Sequence, residues 1–480
     1  MDRRELDDVL ALAESEARRY LAALDEGPLH VDADGTALML AGRLPEEGVG
    51  ALAALAELVG DGFGASVAAA GPRFFHFVTG GVTPAALAAD WLTSTLDQNA
   101  FSWVGSPLAS RLESLALEWL RDLFRLPEGW GGVLTTGATA ANFVALGAAR
   151  RWWGDRHGAD VDRDGLTGLP RVPVLTSGYV HATARKALGM LGIGRESVRV
   201  LARDRVGRLD RDALAAALAR LDGAPAIVIA NAGEVNAGDF DPIAEMADLA
   251  ERHDAWLHVD GAFGLFARVT PEAAPLVDGV ERAHSVIADG HKWLNVPYDC
   301  GFAFLRNTGL LPPVFSASAA YLPEHDPLRP SFGLMTPESS QRARSLPVWA
   351  TLRAYGRTGY REMVERHLAL ARRIAERVDA APDLERLAEV PLNIVCFRFR
   401  PPDLPEEKLD GLNARLGEAV LADGRVYTGT TRYDGKVAFR PAIVNWRTRE
   451  EDVDVLVEVI RELGSRLARA EPAPPVTPTG

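Results

Sequence analysis

The sequence predicts an α/β protein organised on an open, mainly parallel β-sheet. Three observations carry that expectation. Short apolar runs alternate with segments of helical period, as in SVRVLA, DRDALAAALARL and PAIVIAN, the β-α-β rhythm of a parallel sheet. The runs Ala255–Val259 and Ser285–Ala288 each lead into a carboxylate, Asp260 and Asp289, with Lys292 just beyond the second. Strands that finish this way deliver side chains to one edge of the sheet, where open α/β sheets bind ligands. Finally, GGVLTTGATAANFVALGAARRW (131–152) reads as strand, tight turn and helix.

Composition bounds the rest. A chain of 480 residues, 47% hydrophobic and 25% charged, is long enough for two or three domains and a large core. No run of eighteen apolar residues occurs, so no transmembrane helix is expected. The start, MDRRELDDVLALAESEARRYL, alternates charge with leucine and lacks the apolar core of a signal peptide. Two cysteines, Cys300 and Cys396, exclude a disulfide framework and fit a reducing cytoplasm. A net charge of −14 argues against a nucleic-acid backbone as partner.

In chain order, residues 3 to about 26 and 45 to 60 read as amphipathic helices joined by a Gly- and Asp-containing loop. GPRFFHFVTGG is an aromatic cluster closed by a glycine pair. Thr83-Pro84 then reads as an N-cap with proline at N1, opening a helix to about Thr95, and Ser106-Pro107 repeats the signature before SRLESLALEWLRDLF. Phe75, Phe77, Phe101 and Trp103 read first as core packing. In 131–152, Thr139 is the expected N-cap, and the small residues around it leave backbone N–H groups free for a phosphate. PVLTSGYVHATARKALGML is strand, loop and helix; Gly189, Gly192 and Gly194 end that helix rather than follow a strand, so they form no dinucleotide fingerprint. Asp241-Pro242 is the expected cap of the helix before Ala255. After the strand GFAFLRN comes a loop of about twenty residues, from Tyr321 to about Gln341, a length that is usually functional or disordered. Helices from ARSLPVW and over 360–378, the strand NIVCFRFR, a helix at 405–421, the strand VAFRPAIVNW and a helix from about 448 make a smaller α+β unit. The Pro-rich tail is expected to be disordered.

An Asp and a Lys at one sheet edge are either a plain ion pair or the two anchors of pyridoxal 5'-phosphate (PLP), lysine as Schiff base and aspartate on the ring nitrogen. HVDGAFG followed by DGHKWLNVPYDCG resembles the group II PLP-dependent decarboxylases, the aromatic amino acid and glutamate decarboxylase family, from about residue 70 to about 460. The resemblance implies the type I fold of PLP enzymes, like aspartate aminotransferase. It has a large, mainly parallel seven-stranded domain (76–345), a small C-terminal α+β domain (346–470), an N-terminal dimerisation arm (1–75) and a tail (471–480). It also implies roles. Lys292 carries the cofactor, Asp260 partners its ring nitrogen, and His181 and Ala262 cover the two ring faces. Thr135–Asn142 matches the phosphate loop, so Ala138 and Thr139 hold phosphate with His291 and, ranked lower, Asp289. Phe77 and Phe101 line the substrate pocket and Arg440 meets the substrate carboxylate.

The chain departs from the family at four places. Ala138 and Ala140 replace a glycine and an acidic residue without removing an N–H. Glu234 and Val235 stand where two threonines usually do. Phe332 stands where many relatives have the tyrosine that returns a proton to the α-carbon, with Tyr321 and His325 as alternative donors. The expected reaction is therefore decarboxylation of an L-amino acid, aromatic or apolar by its pocket, to the amine and carbon dioxide by a cytoplasmic homodimer. Oxidative deamination to an aldehyde, or another PLP reaction such as transamination, are the alternatives. A metal site on His253, His258 and Asp260 lacks ligand spacing.

Overall fold

A computed structural model describes residues 3–27, 29–31, 43–316, 326 and 328–470. The chain opens with α1 (Arg3–Ala23) and α2 (Ala51–Glu57), followed by α3 (Pro84–Leu96) and α4 (Pro107–Leu123). Then come β1 (Gly131–Thr135), α5 (Ala138–Arg156), β2 (Val174–Thr176), α6 (Ala182–Met190), β3 (Val198–Val200), α7 (Arg211–Ala219), β4 (Ile227–Asn231) and α8 (Ile243–Arg252). β5 (Trp256–Asp260), β6 (Ser285–Asp289) and β7 (Gly301–Leu305) complete the large sheet. A long helix, α9 (Ser345–Ala380), leads to β8 (Leu384–Arg386), β9 (Phe397–Phe399), α10 (Glu406–Asp423), β10 (Thr430–Tyr433), β11 (Lys436–Phe439) and α11 (Glu450–Ala470).

The large sheet has seven strands in the order β1-β7-β6-β5-β4-β2-β3. β6, β5, β4, β2 and β3 run parallel, while β7 runs antiparallel to both of its neighbours. The parallel strands read as unbroken apolar runs because helices cover both faces of such a sheet; β4 and β5 are buried at every position. The register sets Asn231, Asp260 and Ile287 side by side, with Asp289 opposite Gly301 and Thr135 opposite the same Gly301. The charged strand ends thus share one edge. A second sheet, β10-β11-β9-β8, is antiparallel and packs with α10 and α11 on its own buried cluster of Phe397, Phe439, Leu412 and Ile460.

Side-chain caps start three of these helices, at Thr83, His181 and Asp210. Thr83 accepts from Ala86 N, with Pro84 at N1, a cap worth about 1 kcal/mol. Ser106 does not repeat this: its hydroxyl makes no cap and is buried with no hydrogen-bond partner among the described residues. The second N-terminal helix starts at Ala51 rather than 45 and passes into a π turn over Leu58–Gly62. Asp241 does not cap α8; its carboxylate is taken by Asn231 and Ser177, and Pro242 sits at the cap. α9 is two helical stretches joined at Gly356, whose φ of 60° and ψ of −172° are non-helical and open to glycine at no steric cost, in line with the two helices the sequence predicts. β8 and β10 are short strands that the periodicity missed. Tyr321, His325 and the tail lie outside the described residues. Cys300 and Cys396 are both buried and unpaired. No helix among the described residues is long and apolar enough to cross a membrane.

Candidate active site

The C-terminal ends of β1, β4, β5 and β6 open onto a cavity of about 280 Å³. Asp260, at the last position of β5, is 6% exposed and lines it. Its Oδ2 accepts from Asn142 Nδ2 at 3.0 Å and its Oδ1 from Ala262 N at 3.2 Å. Lys292 enters from the next strand, on a π turn over Gly290–Leu294, a wide turn found often at functional sites. That turn is stapled in place. Asn295, held at φ 55°, accepts from Gly81 N and Trp446 N and donates to Val444 O. Gly80 passes so close that a Cβ there would meet Lys292 O at 1.9 Å. Lys292 Nζ lies 3.0 Å from Asp289 Oδ2 and 5.7 Å from the centre of the Phe263 ring.

The phosphate-type cradle begins one residue pair earlier than its sequence suggests. Gly137, not Thr139, is the N-cap of α5, because its φ of 141° is closed to residues with a Cβ. A Cβ at Gly137 would meet His291 Cε1 at 2.9 Å and Asp289 Oδ1 at 3.3 Å. Thr139 therefore lies inside the first turn, where N–H groups have no intrahelical acceptor, and lines the cavity with Ala138 and Ala140. Ala138 N–H is already engaged by Asp289 Oδ1 at 2.5 Å.

His181 caps α6, its Nδ1 accepting from Thr183 N, and faces the cavity. Burial lowers its pKa below the usual histidine value, opposed by Asp260 and reinforced by Lys292. His291 is lowered by burial too, against the pull of Asp289, and stacks on Tyr298 at 4.3 Å. Both imidazoles are thus neutral near pH 7, suited to stacking and hydrogen bonding.

The structure brings Lys292, Asp260, His181, Ala138, Thr139, Ala262, Asp289, His291 and Phe77 to this one cavity. Phe77 stands 63% exposed at φ 57°. Two expected residues are elsewhere. Phe101 is buried against the 332–334 turn: Gly333 N donates to its carbonyl, and a Cβ on Gly333 would meet its ring at 2.0 Å. Backbone pairing of Ala100 with Gln341 claims that segment for the loop. Arg440 does not line the cavity; it donates to the carbonyl of Val235, which does, and its burial beside Glu234 replaces any open-solvent position. Phe332 is 4% exposed in the main core. Tyr179, Phe263, Tyr298 and Asn231 line the cavity without having been expected there. Tyr179 sits two positions before His181, a signal the motif match passed over.

The donor set fits PLP. One amine (Lys292), one carboxylate at the sheet edge (Asp260), a neutral imidazole (His181) and helix-start N–H groups beside His291 match an aldehyde, a ring nitrogen, a ring face and a phosphate in turn. The glycine-only cradle at Gly137 leaves the room a phosphate needs.

The pyridoxal-dependent decarboxylase conserved domain matches residues 65–400. An L-2,4-diaminobutyrate decarboxylase of Rhizobium meliloti (strain 1021) is 33% identical over 439 residues, covering 89% of this chain and 85% of that one. A phenylacetaldehyde synthase of Arabidopsis thaliana is 30% identical over 410 residues, 82% of each chain. Among solved structures, Oryza sativa TDC with PLP and tryptamine superposes with a TM-score of 0.88 at 26% identity, over 97% of this chain and 99% of that one.

Proposed function

The chain belongs to the pyridoxal-dependent decarboxylases, PLP-dependent carboxy-lyases acting on amino acids, and we propose that it converts an L-amino acid with an aromatic or apolar side chain to its amine and carbon dioxide. The observation that carries the residue assignment is the meeting of Asp260, His181 and Lys292 at one cavity beside the Gly137 cradle. Bound PLP supplies an electron sink for the pair left on the α-carbon when the carboxylate departs.

The chain's own residues do the rest. Lys292 is the amine that anchors the cofactor, and its ion pair with Asp289 holds it at the cavity floor until then. Asp260 accepts at the ring nitrogen. His181 would cover one ring face of the cofactor and Ala262 would pack on the other. The N–H groups of Thr139 and Ala140, with His291, hold the phosphate. Asp260 and Asp289 are buried at the base of the cavity, while Phe77 and Tyr298 stand at the exposed rim, where a substrate side chain meets apolar surface. Arg440 is assigned to the substrate carboxylate only indirectly, through the Val235 loop it holds.

Aldehyde formation is the second reading, favoured by the resemblance to a phenylacetaldehyde synthase; Phe332, matched in sequence to the usual tyrosine, is buried in the main core and does not line the cavity. The cytoplasmic homodimer and the division into arm (1–75), large domain (76–345), small domain (346–470) and tail belong to the same proposal. Each sheet has its own buried cluster, but Val348, Leu352, Tyr360 and Val364 of α9 belong to the large-sheet cluster and Phe75 to the small-sheet one, so the packing does not break at 345 or 75.

The test is to supply the PLP-loaded protein with a panel of L-amino acids, with and without oxygen, scoring carbon dioxide, amine, aldehyde and peroxide together. Amine with stoichiometric carbon dioxide is expected, with Lys292→Ala inactive. Oxygen-dependent aldehyde and peroxide would establish the second reading. Absence of carbon dioxide from every substrate would defeat both.

A further inference from the structure

A string of buried polar side chains runs behind Asp260, and none of its four members lines the cavity. Trp256 Nε1 donates to Ser285 Oγ at 3.1 Å, and Ser285 Oγ lies 2.8 Å from His258 Nδ1. His258 Nε2 lies 2.8 Å from Asn142 Oδ1, and Asn142 Nδ2 donates to Asp260 Oδ2 at 3.0 Å. Asn142, His258 and Ser285 are 0% exposed and Trp256 is 2% exposed, so bulk solvent reaches none of the links. Polar atoms this deep are costly unless every one is paired.

The two ends fix the direction of the string. An indole N–H only donates, and a carboxylate oxygen only accepts. Between them one arrangement satisfies every link. The Ser285 hydroxyl accepts from Trp256 and donates to His258 Nδ1. The imidazole carries its proton on Nε2 and donates to Asn142 Oδ1, which aims the amide NH2 at Asp260. Burial keeps this imidazole neutral, pushing its pKa down to about 4 against the pull of Asp260. A cationic ring would have to donate at both nitrogens and would reverse the serine link.

We propose that Asn142 and His258 are positioning residues for Asp260: the proton-ordered string, anchored at Trp256, holds the carboxylate in one rotamer so that its remaining acceptor capacity faces the cofactor's ring nitrogen. This rests on the reading of Asp260 as the partner of that nitrogen. The Ala262 N–H fixes the other oxygen, so the carboxylate is clamped from the turn after β5 and from α5 at once. His258 and Asp260 share a strand face by the two-residue period, while Asn142 reaches them from the second turn of α5. A strand-end aspartate alone would swing between rotamers; the string removes that freedom before any ligand arrives.

The test compares two ligands on the full-length chain stripped of cofactor: PLP, and 1-deazapyridoxal phosphate, in which carbon replaces the ring nitrogen. Binding is read by intrinsic fluorescence, so catalysis is not needed. The wild type is expected to prefer PLP. Asn142→Leu should cut that preference about tenfold, through weaker PLP binding with the deaza ligand unchanged. His258→Phe should do the same, while His258→Gln, whose amide can still donate to Asn142, should keep most of it. That second pair carries the test should Asn142→Leu fail to fold. A wild-type preference in both Asn142→Leu and His258→Phe, or equal loss for both ligands, would overturn the proposal, the latter marking plain core damage. Asp260→Asn separates the two levels. If it abolishes the preference while the string variants do not, only the string fails. If it leaves the preference intact, the reading of Asp260 itself falls, and the string with it.

Discussion

Glu113 shows how far one residue can depart from its ordinary chemistry in this core. It sits on α4 at 3% exposure, accepts from Leu134 N at 3.0 Å, and burial lifts its pKa to about 8 despite that bond and Arg344. The folded chain therefore keeps this carboxyl protonated up to about pH 8, while the unfolded chain releases the proton near 4.5. Its contribution is full below 4.5 and is lost as pH rises toward 8. Glutamine is neutral throughout, so Glu113→Gln should gain on the wild type as pH rises from about 5 to 8, by on the order of a few kcal/mol. Thermal midpoints of both proteins at the two pH values check this; a constant difference between them would refute the buried neutral carboxyl. The same burial acts in reverse on His367, whose pKa falls to about 3 while Trp293, next to Lys292, donates to its Nδ1.

At the scale of elements, the turn between β1 and α5 decides the cofactor cradle. Gly137 closes against β7 so tightly that a Cβ on Gly301 would meet its Cα at 2.5 Å. Gly137→Ala puts a methyl group against His291 and strains a φ of 141°. PLP affinity should fall at least about tenfold, some 1.4 kcal/mol, with helix and strand content kept. Titration followed by circular dichroism measures both, and unchanged affinity would separate the cradle from phosphate binding. The turn also corrects a sequence expectation. Thr139 has the residue type of an N-cap, yet the glycine two residues before it takes the cap, because only glycine adopts the backbone that brings β1 back over Asp289.

At the scale of the whole molecule, the N-terminal elements are unevenly buried. The chain just past α1 docks on its own subunit, where Leu24, Leu29 and Phe74 are buried, but Leu6 and Leu10 face solvent and α2 buries nothing. α3 exposes Trp91, Leu92 and Leu96 as well. Apolar surface of this kind is what an interface would cover, and the proposed homodimer is the occupant to test. Sedimentation should give a particle of twice the 51.7 kDa chain mass, and the double variant Trp91→Glu, Leu92→Glu should shift it to monomer. A monomeric wild type would rule out the dimer.

The α/β class and the strand ends that bring Asp260 and Lys292 to one cavity were legible in the sequence, because each depends on short-range pattern: apolar runs of strand length, a charge where each run stops, and a motif of neighbours; that Lys292 pairs with Asp289 was not. So were Ala138, His181, Ala262 and His291, which the same motifs bring to the cavity. What depends on distant partners was not legible. Phe101 is drawn from the cavity by pairing with residues more than two hundred positions away, and Arg440 is drawn to the Val235 carbonyl. Asn142 ended a matched motif, but its partner His258 lies 116 positions on, so nothing local revealed what its amide would do. Periodicity and propensity are properties of adjacent residues, whereas the clamp on Asp260 arises only when a helix and two strands stack and bury their polar groups without water.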